Sequence, residues 1–236
     1  MRLKVVGTGS SGNAYILQAK DGAALLIECG VRFREIKAAL DYDITNVVGC
    51  LVTHEHGDHA SSVGDLAYAG IDIFMSAGTK KALNLGPSFT AVEPLKMFSV
   101  GPFTCMAFKV KHNAADPVAF MIHHPESGNV LFATDTYYLR YKFPNLNNII
   151  IEANYCEKIV ERQETTSNYL SHMSIQTCLK TLAANDLTKV NNIVLIHLSN
   201  GNSHARDFKQ QVERSTNKTV FVADNGLEID LNKTPF

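Results

Sequence analysis

The chain has 236 residues, 45% of them hydrophobic and 19% charged, with 22 Lys and Arg against 23 Asp and Glu for a net charge of −1. This is the make-up of an ordinary globular protein. It excludes a global basic field for nucleic acid, so positive potential there would have to be local or supplied by metal.

No apolar run reaches the roughly 18–20 residues that cross a bilayer, so no membrane partner is expected. Met1-Arg2-Leu3-Lys4-Val5-Val6 runs straight into a glycine turn, unlike a signal peptide. Cys29, Cys50, Cys105, Cys156 and Cys178 are odd in number and include no CxxC pair, which suits buried thiols in a reducing compartment. The expected location is the cytoplasm, and residues 1–236 read as a single domain. The oligomeric state leaves no signature.

Taken in chain order, strand-like apolar runs cover residues 3–6, 14–18, 23–27, 47–52, 71–75, 103–110, 118–122 and 129–133. Short polar turns at 20–22 and 125–128 predict antiparallel hairpins. Gly7-Thr8-Gly9-Ser10-Ser11-Gly12 satisfies the dinucleotide pattern GxGxxG. That pattern needs a helix next, to set phosphate on its N-terminus, whereas Asn13-Ala14-Tyr15-Ile16-Leu17 reads as a strand. The nucleotide reading is therefore set aside. Helical faces are predicted through Ala60, Val63, Leu66 and Ala67, and through Ile175, Cys178, Leu179, Leu182 and Ala183 behind a capping Ser174. A third runs through Ala205, Phe208 and Val212. Strands with peripheral helices, in halves 1–133 and 134–236, predict two packed sheets with helices outside.

Thr53-His54-Glu55-His56-Gly57-Asp58-His59 crowds four metal-type ligands into six positions after an apolar strand. His54 and His56 point the same way in an extended loop, while Asp58 and His59 turn into the next helix and can face a second ion. Other apolar runs end in the same manner. Phe108-Lys109-Val110-Lys111 delivers His112, Val130-Leu131-Phe132-Ala133-Thr134 delivers Asp135, Ile149-Ile150-Ile151 delivers Glu152, and Ile193-Val194-Leu195-Ile196 delivers His197. Loop ends carried by a rigid sheet are where sites are built.

The HxHxDH cluster followed by single His, Asp and His at strand ends resembles the metallo-β-lactamase superfamily. The segments Val6–Asn13, His112–Phe120, Glu152-Ala153-Asn154, Ser171-His172-Met173-Ser174 and His197-Leu198-Ser199 are similar to its bacterial YycJ (WalJ) subgroup, from about Met1 to about Asn202. The resemblance implies an α/β fold of four αββα layers and a site for two divalent ions, zinc or manganese, with iron also admitted. It implies that His54, His56 and His112 hold one ion, that Asp58, His59 and His197 hold the other, and that Asp135 bridges them. Asp58 is also implied to orient the attacking water. Glu28 stands where the family usually has Asp, which predicts a shifted ligand loop, and Asn113 replaces the subgroup's usual Asp.

By the same resemblance, to ribonucleases of the RNase Z type, His172 with Glu152 would protonate the leaving oxygen; the competing reading makes His172 a hydrogen-bonded loop residue. His123 and His124 are expected in solvent beside a hairpin turn, and His204 at the surface or as a cap. Tyr137-Tyr138-Leu139-Arg140-Tyr141-Lys142-Phe143 interleaves aromatics with cations, suiting either stacked bases and phosphates or an amphipathic lid. The reading reached is a metal-dependent hydrolase, most simply a phosphodiesterase on nucleic acid with DNA favoured and exonuclease-like. Hydrolysis of a small ester, lactam or thioester is the alternative, and a non-hydrolytic iron redox or metal-binding protein the third.

Overall fold

The computed structural model describes residues 1–161 and 171–234. Its strands form two seven-stranded sheets. The first contains β1 (Arg2–Gly7), β2 (Ala14–Gln18), β3 (Ala24–Ile27), β4 (Val47–Leu51), β5 (Ile73–Ser76) and β6 (Thr90–Val92) in that order, with the late strand β14 (Glu228–Asp230) added outside β1. The second runs from β7 (Met97–Val100) through β8 (Phe103–Lys109), β9 (Val118–His124), β10 (Gly128–Ala133), β11 (Leu146–Glu152) and β12 (Asn192–Ile196) to β13 (Thr219–Val222). Each sheet is antiparallel on one side and parallel on the other: β3 to β6 run parallel in the first, β10 to β13 in the second.

Why the sheets face one another follows from the apolar pattern. Leu3, Val5, Tyr15, Leu17, Leu25 and Ile27 of the first sheet share one core with Phe103, Cys105, Phe120, Ile122, Val130 and Phe132 of the second. Tyr15 and Phe132 meet edge to face across that layer, 5.3 Å between ring centres. Strands such as β3 and β11 are buried along their whole length, so their other faces need covering too. Ile16, Leu26 and Cys50 pack under α1 (Phe33–Ala39), α2 (Gly57–Ala60) and α3 (Val63–Tyr68). Leu131, Ile149 and Ile151 pack under α6 (Ile175–Ala183) and α7 (Ala205–Thr216). The result is the expected four-layer αββα sandwich. Two further helices, α4 (Ala77–Ala82) and α5 (Glu157–Glu161), lie between these elements in sequence. Among the described residues no helix is long and apolar enough to cross a membrane.

Most predicted elements are present, with both hairpins in antiparallel register. Ser174 caps α6 by accepting from the Thr177 amide. Three details differ. The sheet boundary lies between β6 and β7, not near residue 133, and the chain's last strand returns to the first sheet. The helix predicted through Ala60 and Ala67 is two short helices, α2 and α3. His124 is buried against the Phe103 ring instead of solvated, whereas His123 is exposed. All five cysteines are free thiols, four of them buried.

Candidate metal centre

All seven ligand candidates meet at one end of the sandwich, and they arrive by the strand ends. His54 lies just past β4, His112 past β8, Asp135 past β10 and His197 directly after β12, while Asp58 and His59 lie in α2. His54 Nε2 and His112 Nε2 lie 3.0 and 3.2 Å from His56 Nδ1. Asp58 Oδ2 lies 3.4 Å from His59 Nε2 and 3.5 Å from His197 Nε2. Asp135 stands between the two sets. Its Oδ2 is 3.4 Å from His112 Nε2 and 3.5 Å from His59 Nε2, and its Oδ1 is 3.5 Å from His197 Nε2.

Could these atoms hold cations? The groups His54, His56, His112 and Asp135, and Asp58, His59 and His197, each bring one donor atom within 4.8 Å of the others. The Nε2 of His197 is buried without a hydrogen-bond partner. Orphaned imidazole nitrogens crowded around carboxylates are costly in an empty protein interior. The same set of nitrogens and oxygens fits divalent cations of the zinc type.

Electrostatics follow the same division. Burial pushes His54 down to about 2, and the neighbouring His59 adds to it. Burial would lower His197 as well, but Asp135, Asp58 and Glu152 outweigh it and raise that ring to about 10. Burial would raise Asp135, yet His59 and His197 hold it well below the usual carboxylate range.

Surrounding groups fix the rings. The His112 Nδ1–H donates to the Ser171 carbonyl at 2.8 Å, which turns Nε2 toward Asp135. Glu28 is fully buried, takes the Thr53 amide on Oε2 at 3.2 Å and holds Oε1 3.5 Å from His59 Nδ1. The longer carboxylate still reaches both the ligand loop and a ligand ring. Glu28, Asp135 and His197 all adopt left-handed backbone, with φ of 63°, 47° and 55°. Non-glycine residues held there are strained, a feature common at functional sites.

Glu152 is fully buried, and its Oε1 lies 2.7 Å from His172 Nδ1. Its Oε2 accepts from the Thr136 and Met173 amides at 3.0 and 3.1 Å. His172 stacks on His197 with ring centres 5.4 Å apart, and its side chain keeps 22% exposure. Burial lowers its affinity for a proton, but the Glu152 carboxylate outweighs this and raises its pKa.

Four supports escaped the sequence reading. Glu152 Oε1 also approaches His197 Nδ1, at 3.4 Å, so one oxygen serves two imidazoles. Asn13, closing the glycine loop, bonds the Asp58 backbone twice and lies 3.2 Å from His59 Nε2. Thr8 Oγ1 accepts from the His197 amide at 3.1 Å, and Asn154 donates to the His197 carbonyl at 2.8 Å. The glycine loop thus braces the ligand loops, and β2, not a helix, follows it. Thr8, Asn13, Glu152 and Asn154 all lay inside the segments carrying the family resemblance, the only signal available for these contacts.

Outside the centre, His204 is exposed at the N-terminal boundary of α7 and makes no capping bond through its side chain. The segment 137–143 forms neither helix nor strand, with Phe143 buried against Phe108 and with Tyr138, Arg140 and Lys142 exposed.

Fold and site together define an αββα protein with a His/Asp cluster fit for divalent metal. The family profile described as Metallo-beta-lactamase superfamily matches residues 7–140. The chain belongs to the metallo-β-lactamase superfamily, whose members of this kind are metal-dependent hydrolases. It is 25% identical to the exodeoxyribonuclease WalJ of Streptococcus pneumoniae, over 97% of this chain and 91% of that one. It is 26% identical to the exodeoxyribonuclease YycJ of Bacillus anthracis, over 66% and 63% of the two chains. Among solved structures, the metallo-β-lactamase fold protein YhfI of Bacillus subtilis superposes with a TM-score of 0.78 at 18% identity, covering 97% of this chain and 98% of that one.

Proposed function

We propose that the protein is a two-metal phosphodiesterase acting on nucleic acid, with DNA favoured and cleavage from strand ends, working as a single cytoplasmic domain. The observation that carries this reading is the Glu152–His172 pair, 2.7 Å apart, at the rim of a seven-ligand cluster. The relatives named as exodeoxyribonucleases support the choice of DNA.

In this reading His54, His56 and His112 would hold one ion and Asp58, His59 and His197 the other, with Asp135 available to both. Zinc, manganese or iron suits the donor set. Two such ions would supply an acidified water and neutralise phosphate charge. The residues of the chain do the remainder. Asp58, at the half-exposed edge of the cluster, orients the attacking water by accepting its hydrogen bond. Glu152 keeps the His172 Nδ1 hydrogen-bonded, which leaves Nε2 to carry a proton to the departing sugar oxygen. A poor alkoxide leaving group needs that proton, whereas an activated ester, lactam or thioester needs it far less. The pair therefore favours the phosphodiester reading over the small-molecule one. Exposed Tyr138, Arg140 and Lys142, close in sequence to Asp135, offer a stacking face and cations to the strand.

The test is metal analysis of the purified protein, then incubation with labelled single- and double-stranded DNA, RNA and a chromogenic phosphodiester. DNA cleavage that depends on the bound metal is the expected result. Turnover of a thioester or lactam without any diester cleavage would overturn the reading.

A further inference from the structure

Beside the His197 loop lies a cavity of about 230 Å³, lined by groups that include Gly9, Ser10, Ser11, Asn200, Asp224 and Asn225. None of the seven candidate ligands lines it, but its walls adjoin the loops that carry them. Leu198, the residue after His197, lines it. So does Thr8, whose hydroxyl takes the His197 amide. The Gly9 amide donates to Asn13 at 2.9 Å, and Asn13 reaches His59. A molecule seated here lies against the loops that carry both His59 and His197.

The lining says what kind of molecule fits. It is almost wholly polar, and it contains no Lys, Arg or His; its one charged group is Asp224. Among the described residues, the Ser10 and Ser11 hydroxyls and the Asn200 and Asn225 side-chain amides make no bond to other protein groups, so all four are open to a ligand. A phosphate would meet a carboxylate and no cation, which disfavours it. A sugar or base edge offers O–H and N–H donors to Asp224 and acceptors to the serines and amides. The cavity is also smaller than the roughly 300–1,000 Å³ of pockets that enclose drug-sized ligands, so it admits one nucleoside and not a run of them. A continuous strand brings a phosphate on either side of each nucleoside.

We infer that this cavity holds the terminal nucleoside of the strand, with its outer end a free hydroxyl and not a phosphate. This rests on the phosphodiesterase reading above and adds to it how a strand end is recognised. Asp224 accepts from the terminal nucleoside and rejects a terminal phosphate by like charge.

The experiment compares the metal-loaded protein on single-stranded oligonucleotides bearing hydroxyl or phosphate at each end, and on a circular strand, with bis(4-nitrophenyl) phosphate reporting chemistry alone. At the end from which it degrades, kcat/KM should favour hydroxyl over phosphate by about tenfold or more, and the circle should resist. Asp224→Lys, at an exposed turn, should reverse the preference, and Ser11→Tyr should raise KM for linear strands by filling the cavity. Equal rates on both ends, a preference for phosphate, or a ratio unmoved in Asp224→Lys would overturn the inference while leaving diester cleavage intact. Failure to cleave any diester, the small one included, would instead remove the phosphodiesterase reading and this inference with it.

Discussion

The Oε1 atom of Glu152 lies 2.7 Å from one histidine and 3.4 Å from another, so a change there touches two proposed roles at once. His172→Ala and Glu152→Gln should therefore behave differently. His172→Ala should keep the full metal content, yet slow a diester with an alkoxide leaving group by about 10²–10⁴-fold and spare a nitrophenyl diester. Equal losses on both substrates would make His172 a shaping residue only. Glu152→Gln should show the same selectivity and also weaken metal on the His197 side by about 10–100-fold, read by metal titration. Gly30 makes a sharper case still. A Cβ there would stand 1.7 Å from the Asp58 carbonyl oxygen, a backbone atom that cannot swing aside. Gly30→Ala should displace the Asp58–His59 turn and strip metal from the purified protein; normal metal content in that variant would show that the turn has slack. The candidate ligands were legible in the sequence because His54, His112, Asp135 and His197 end apolar runs and His56, Asp58 and His59 follow His54 in one cluster. The contacts of Asn13, Thr8 and Gly30 were not, because they join loops dozens of residues apart.

Among the elements, those buried on one or both faces were the readable ones. β4, β8, β10 and β12 carry enough apolar residues to declare themselves, and their ends deliver candidate ligands. β6, β7, β13 and β14 are three or four residues long and partly exposed, so no period can build up in them. The segment 137–143 presents two different faces. Phe143 is buried and Tyr137, Leu139 and Tyr141 are half-buried, while Tyr138, Arg140 and Lys142 alternate with them toward solvent. The inner face fits the amphipathic cover, and the outer face leaves Tyr138, Arg140 and Lys142 exposed. If the outer face tracks a phosphate backbone, neutralising Arg140 and Lys142 together should weaken DNA binding. The dependence of log K on log salt should flatten by about 1.4 for single strands and about 1.8 for duplex. An unchanged slope would leave the segment a structural cover.

At the scale of the molecule, the site is a joint between two sheets. His54, His56, Asp58 and His59 follow β4 of the first sheet, whereas His112, Asp135 and His197 follow β8, β10 and β12 of the second. The family resemblance anticipated this four-layer build, but the apolar pattern alone misplaced the boundary between the sheets. Short β6 and β7 hide the crossover, and nothing local in Glu228-Ile229-Asp230 says that it returns to pair with β1. A cation held by ligands from both sheets exists only when the sheets are docked, so binding must stabilise the docked state. At free metal about 1,000-fold above Kd, one site contributes about 4 kcal/mol, which for a chain of this size raises Tm on the order of 10 °C. Calorimetry of the metal-loaded protein before and after chelation should show that fall, and it should reverse when metal is restored. Asp135→Ala, which removes the group placed between both ligand sets, should melt near the chelated wild type and respond little to added metal. Should chelation leave Tm unmoved in a protein shown to have lost its metal, the ligands would not span the sheets as assigned. Should Asp135→Ala still gain the full shift, the bridging role of Asp135 would fall while the remaining six ligands stood.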